Sequence, residues 1–215
     1  MKHLTTIREN SEAQQLVWPA HDHYGWVGQN TFLDLHNQIK PYLRGRNTMV
    51  QAGGNCGLVL NTFVDMFDTI YTFEPEPLNF YCLVQNVSSS NVIKMQACLG
   101  DRTGLVGIQP LAAHAVDIGG YHVSAEPCTI PMLTVDSLDL KHCDLLQLDV
   151  EGGEYTALKG ATNTIEKFKP VICIEVMGIY LNRYGKSEDD LFDLMKELGY
   201  KEQAIYGSDH IYTHQ

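Results

Sequence analysis

The stretch VQAGGNCG, residues 50–57, runs from an apolar, strand-like start into three glycines around an asparagine. Gly53 suits the tight exit from a first strand, while Gly54 and Gly57 leave room for a ligand and for a closely packed helix, with backbone N–H groups turned toward a pocket. That pattern asks for a bound cofactor without naming it. A phosphate-binding P-loop ends in Gly-Lys-Ser/Thr, but here Leu58, Val59 and Leu60 follow Gly57, which argues against nucleotide triphosphate chemistry. A nicotinamide dinucleotide turn wants GxGxxG, and GGNCG displaces one glycine, so NAD is the runner-up. Glu74 ends the next strand-like run, TIYTFE, where a carboxylate can accept hydrogen bonds from both ribose hydroxyls of an adenosine ligand. That acid suits NAD and S-adenosylmethionine alike.

Working outward, short apolar strands alternate with helices from Thr48 on, as expected of crossover units around a parallel sheet. NTMVQA reads as strand, LVLNTFVDMF as helix, TIYTFE as strand, PLNFYCLVQNV as helix and NVIKMQACL as strand. Residues 102–140 break the rhythm with glycines and β-branched residues that predict hairpins, an insertion suited to substrate selection. DLLQLDV, EYTALKGATNTIEKF, PVICIEV and SEDDLFDLMKELG then read as strand, helix, strand and helix, the last capped by Ser187. The closing YKEQAIYGSDHIYTH reads as a hairpin turning at Gly-Ser-Asp. Before the core, Phe32, Leu35, Ile39 and Leu43 fall at helical spacing, with Pro41 clouding the end of that helix.

A chain of 215 residues, 44% hydrophobic, fills one core. One domain over 1–215 is expected, with residues 1–47 as strap and helix and 48–215 as the core. With 26 acidic against 15 basic residues, the net charge of -11 opposes the phosphate neutralisation on which nucleic-acid binding rests. The polar N-terminus lacks the apolar core of a secretion signal and no run reaches membrane-spanning length, so a cytoplasmic protein with no nucleic-acid or membrane partner is expected. Cys56, Cys82, Cys98, Cys128, Cys143 and Cys173 form no CxxC pair and read as reduced, mostly core, thiols. The histidines at 21, 23, 114, 122 and 210 offer no metal-ligand spacing, and no metal is expected.

Taken in order, VQAGGNCG, TFEPEP, ACLGDRTG, TVDSL, LLQLDVEGGEYTALKGA and PVICIEV resemble the successive motifs of the FkbM family of S-adenosylmethionine-dependent methyltransferases, across roughly residues 48–176. The resemblance implies an α/β class I methyltransferase fold: a three-layer, Rossmann-like sandwich with a mostly parallel seven-stranded sheet and a terminal antiparallel hairpin. It implies S-adenosyl-L-methionine as cofactor, held by Gln51, Gly53, Gly54, Asn55, Gly57, Glu74, Pro75, Ala97, Cys98 and Asp149. The family usually carries an acid where this chain has Gln51; an amide forfeits the charge-assisted attraction to an ammonium group. The resemblance also implies O-methylation of a hydroxyl on a sugar, glycan or small natural product.

Methyl transfer needs an in-line nucleophile, and a hydroxyl acceptor gains from a nearby base. Asp149, at the end of a buried strand, leads the catalytic candidates with Glu151 and Glu175. Glu154 fits the first turn of a helix equally well. His114 and His122 ride on the insertion and are candidate substrate contacts. WPAHDHYGW reads either as a strap burying Trp18 and Trp26, or as a lid through His23, Tyr24 or Trp26. A catalytically relaxed binding module and an NAD-dependent oxidoreductase are the competing functions, and the chain leaves room for a homo-oligomer.

Overall fold

The structure, a computed structural model, describes residues 4–22, 25–110, 118, 120–126 and 128–215. The chain opens with a hairpin of β1 (Thr5–Glu9) and β2 (Gln15–Pro19), then two short helices, α1 (Gly25–Thr31) and α2 (Leu35–Ile39). β3 (Thr48–Ala52), β4 (Thr69–Phe73), α3 (Pro77–Asn86) and β5 (Val92–Met95) build the first half of the main sheet. β6 (Cys98–Leu99), β7 (Gly104–Pro110), β8 (Tyr121–Ser124) and β9 (Ile130–Leu133) form the insertion. The second half comprises β10 (Leu145–Leu148), α4 (Glu154–Lys159), α5 (Thr162–Phe168), β11 (Val171–Glu175), α6 (Gly178–Leu181), α7 (Glu188–Glu197), β12 (Tyr200–Tyr206) and β13 (Asp209–His214).

The main sheet has seven strands in the order β12-β13-β11-β10-β3-β4-β5. The steps from β11 through β5 are parallel, and β13 alone runs against its neighbours. β3 and β10 are buried on both faces, as continuous apolar runs in a covered parallel sheet should be. Val50, Leu146, Leu148, Ile172 and Ile174 pack beneath α4, α5 and α7; Met49, Leu145, Ile70 and Ile211 pack on the other side against Leu35, Ile39, Leu60 and Phe63. Among the described residues, no helix is long and apolar enough to cross a membrane.

Four expected elements are cut by local competition. LVLNTFVDMF is no α-helix but a run of turns around a 3-10 helix, Leu60–Phe63, where the Thr62 hydroxyl donates to the Val59 carbonyl and competes with the regular ladder. The expected strand NVIKMQACL ends at Met95; β6 leaves the main sheet to pair with β9. The helix over 154–168 breaks at Gly160–Ala161, because Gly160 lies against the Gly100 carbonyl, where any Cβ would collide, and because Asp136 captures the N-H groups of Asn163 and Thr164 (3.0 and 2.8 Å) as a remote cap. Near the N-terminus, the helical spacing of Phe32 to Leu43 resolves into α2 and a 3-10 turn opened by Pro41.

The expected helix cap, closing hairpin and free cysteines are present. Ser187 closes a full capping box with Asp190, β12 and β13 turn at Gly207 (φ +64°), and all six cysteines are free, five of them buried. The insertion's β6, β9, β7 and β8 make a second, four-stranded sheet in that order.

The N-terminal hairpin is fastened to α3 by Asn86, whose Oδ1 accepts from the Val17 N-H (2.7 Å) and whose amide donates to the carbonyls of Val17 and Cys56 (both 2.8 Å). Asn86→Ala removes all three bonds and should destabilise the protein by about 1–3 kcal/mol, with earlier proteolysis near residue 20. Unchanged thermal unfolding and proteolysis would show that the strap is held by apolar packing alone.

Candidate functional site

The glycine turn begins where β3 ends. Gly53 (φ +87°), Asn55 (φ +45°) and Gly57 (φ +84°) adopt left-handed backbone, and at Gly53 a Cβ would also strike the Asp149 carbonyl oxygen. The N-H groups of Gly53 and Gly54 both donate to the Phe73 carbonyl (3.0 and 2.9 Å), tying the turn to the end of β4. Glu74 locks it: one carboxylate oxygen accepts from the Asn55 N-H (2.7 Å), the other from the Glu76 N-H (2.9 Å). Burial outweighs these two bonds and pushes the Glu74 pKa up to about 8.

In front of the turn, a cleft opens at the carboxyl ends of β3, β4 and β10, beneath the β7–β8 hairpin. This is where open α/β sheets bind ligands. Gly53, Glu74, Pro75, Ala97, Cys98, Asp149, Glu151 and His122 line it, as the sequence suggested. Gln51, Gly54, Asn55, Gly57 and Glu175 do not. Gln51 accepts from the Thr72 hydroxyl inside the sheet (2.8 Å), and Gly54 and Gly57 make room for Leu83 and Val87 at α3 rather than for a ligand. His114 lies outside the described residues, as do His23 and Tyr24.

Trp26 stands edge-on to the fully buried Trp18 (4.8 Å between centroids), and the Trp18 indole donates to Asp22 (2.6 Å). Asp22 also caps α1 through the Gly25 and Trp26 N-H groups (2.9 and 2.8 Å). Trp26 therefore belongs to the strap and is not among the cleft's described lining. His21 and His210 also lie away from the cleft; His210 pairs with Glu202.

Carboxylate oxygens of Asp149, Glu151 and Glu175 lie within 4.8 Å of one another. Asp149 is open to the cleft, yet the protein packed behind it raises its pKa, while a side-chain hydrogen bond from Glu175 opposes the rise. Glu175 is raised still further, by burial and then by the Asp149 charge. Two carboxyls so close cannot both ionise cheaply, so the pair titrates as a unit. Glu154 is buried and accepts from the N-H groups of Val150 and Gly152 (2.9 and 3.3 Å), which makes it a brace for the loop after β10 rather than a cleft acid. Burial pushes Glu154 up to about 7.

The sequence reading missed the insertion's contribution from Ile108, Tyr121 and Val123, and Asn79 of α3. The Asn79 amide donates to the Ile118 carbonyl (2.7 Å), fixing the insertion to α3. The Val123 N-H donates to the Tyr184 hydroxyl (2.9 Å), fixing β8 from the other side. Only alternation along YHVS hinted at these roles. His122 turns a buried Nδ1 with no hydrogen-bond partner into this region, and burial, then the Arg183 charge, lower its pKa.

The raised carboxyls predict a pH profile. In each, the folded protein holds its proton more tightly than the unfolded chain, so the stability they add is complete below the ordinary carboxyl range and is lost as pH climbs through the folded values. These are about 7 for Glu154 and Asp209 and about 8 for Glu74. The thermal midpoint should fall from about pH 5 to about pH 9, and Glu175→Gln should flatten the fall. A midpoint rising over that interval would contradict these assignments.

No curated protein matches the sequence. Among solved structures, methyltransferase FkbM from Methylobacillus flagellatus KT is similar at 16% identity and a TM-score of 0.54, over 86% of this chain and 52% of that one. The chain thus spans about half the length of that relative. TYW2 from M. jannaschii, crystallised with AdoMet, is similar at 12% identity and a TM-score of 0.51, over 99% of this chain and 87% of that one. At such identities these likenesses speak to the fold. The Methyltransferase FkbM domain matches residues 51–202, most of the chain. This protein belongs to the FkbM methyltransferase family.

Proposed function

We propose that this chain transfers a methyl group from S-adenosyl-L-methionine to a hydroxyl oxygen of a sugar, glycan or small natural product. The observation that carries the reading is the lining of the cleft. Its described residues include the carboxyls of Glu74, Asp149 and Glu151 but no lysine or arginine, so its field favours a cation. A sulfonium fits that field; the pyrophosphate of a dinucleotide does not. The glycine turn and the Glu74 carboxyl, which can hydrogen-bond a ligand hydroxyl, suit the ribose of the adenosyl group.

When bound, the cofactor supplies an activated methyl whose bond to sulfur breaks as the new carbon–oxygen bond forms, the electron pair staying on sulfur. Glu74 and the turn orient the ligand, and Ala97 and Cys98 close one wall. The β8 segment roofs the cleft and sheds water from it. Asp149 accepts the hydroxyl proton of the acceptor, and His122, held neutral near pH 7 by its lowered pKa, contacts the acceptor. The oxygen preference and the acceptor class come from the family resemblance. Gln51, engaged with Thr72, keeps the turn's underside neutral where relatives place an acid.

Calorimetric titration with S-adenosylmethionine, S-adenosylhomocysteine and NAD checks the cofactor. The two adenosyl-sulfur ligands should bind and NAD should not; binding of NAD alone would favour an oxidoreductase, and binding of none a relaxed interaction module. Glu74→Gln turns an amide N-H2 toward the N-H of Asn55 or of Glu76, and should weaken S-adenosylhomocysteine binding by about tenfold or more while leaving the fold intact. Unchanged affinity would remove Glu74 from the site.

A further inference from the structure

The carboxyls of Asp149 and Glu175 stand at the ends of adjacent parallel strands with oxygens within 4.8 Å of each other, and of the two only Asp149 opens to the cleft. Among the described residues, the charges that raise Glu175 are those of Asp149 from the end of β10, Glu151 from the loop beyond it, Glu154 from α4 and Asp209 from β13, all of them acidic. The neutral groups beside them are the Ser208 hydroxyl, donating to Glu175 Oε1 (3.2 Å), and the Cys173 thiol, 3.7 Å from Asp209 Oδ1. Tyr184 faces Glu151 and Glu154 with a phenol that burial pushes up to about 12. Carboxyls this close relieve their repulsion in the free protein by holding protons.

We propose that Asp149 and Glu175 share one proton in the free protein, surrender it to solvent on binding of the sulfonium cofactor, and take one back from the acceptor hydroxyl as the methyl is transferred. The proposal rests on the function put forward above and deepens it. The charge balance is what the geometry serves. Transfer to an alcohol removes one positive charge from the cleft, that of the sulfonium, and frees one proton, that of the hydroxyl. If the carboxyl pair keeps that proton, the net charge beside the buried acids is the same before and after the reaction. Glu175 is then a positioning residue: it never meets the substrate, and it sets the proton affinity of Asp149 through their shared hydrogen bond. The pair also tells cofactor from product, because a neutral thioether gives it no counter-charge and leaves its proton in place.

The test needs no acceptor. Calorimetry of the full chain at about pH 7, with each adenosyl ligand in buffers of different ionisation enthalpy, counts the protons released on binding. S-adenosylmethionine should release more than S-adenosylhomocysteine, by about 0.3 to 1 proton per site. The excess should vanish in Glu175→Gln, with both ligands still bound. Equal counts in the unaltered protein, or an excess that survives in Glu175→Gln, overturn the proposal while leaving the cofactor reading intact. If Glu175→Gln does not fold, the ratio of the two Kd values in the unaltered chain from about pH 6 to 7.5 replaces it: the ratio should move toward S-adenosylmethionine by at least about twofold as pH rises, and a flat ratio overturns the proposal. Failure of both ligands to bind overturns the cofactor reading and this proposal with it.

Discussion

The two hydrogen bonds that Glu74 accepts, from Asn55 and from Glu76, hold the site together. Through them the end of β4 grips the left-handed turn after β3, and the same turn must pass so close to the Asp149 carbonyl that only glycine fits at position 53. Three strand ends are therefore fixed relative to one another before any ligand arrives. This preorganisation places the mouth of the cleft beside an acid. It also explains why Glu74 is buried at a cost to its ionisation: the carboxyl belongs to the frame of the turn as much as to the ligand.

The second constraint is electrostatic. The described cleft lining brings acids together without a lysine or arginine, and the acids behind it deepen the effect. In a protein of net charge -11 such crowding is tolerable at the surface, where water screens it, but not behind β10 and β11. There the repulsion must be answered by protons or by a bound positive charge. The proposed methyl transfer, from a sulfonium to a hydroxyl, would supply one of each.

Much of the frame was readable in the sequence because buried parallel strands announce themselves as unbroken apolar runs, LLQLDV and PVICIEV among them. The acids that end those runs, Asp149 and Glu175, met because their strands are neighbours in the expected order. What escaped the sequence depends on contacts between distant segments. The break between α4 and α5 needs Asp136 and the Gly100 carbonyl, and the departure of β6 from the main sheet needs β9 as a partner. Gln51 was expected at the ligand because the family resemblance puts an acid at its position, but here its side chain accepts a hydrogen bond from Thr72 on the neighbouring strand. Asp209 joined the acid cluster only through the antiparallel register that sets it opposite Glu175.

The central claim is that the cleft between Glu74 and Asp149 holds the adenosyl-sulfur cofactor. A crystal structure of the protein with S-adenosylhomocysteine tests it most directly. The ligand's ribose should lie within hydrogen-bond distance of the Glu74 carboxylate, with its sulfur on the Asp149 side of the cleft. A ligand bound elsewhere, or one whose ribose leaves Glu74 bonded to Asn55 and Glu76 alone, would contradict the account.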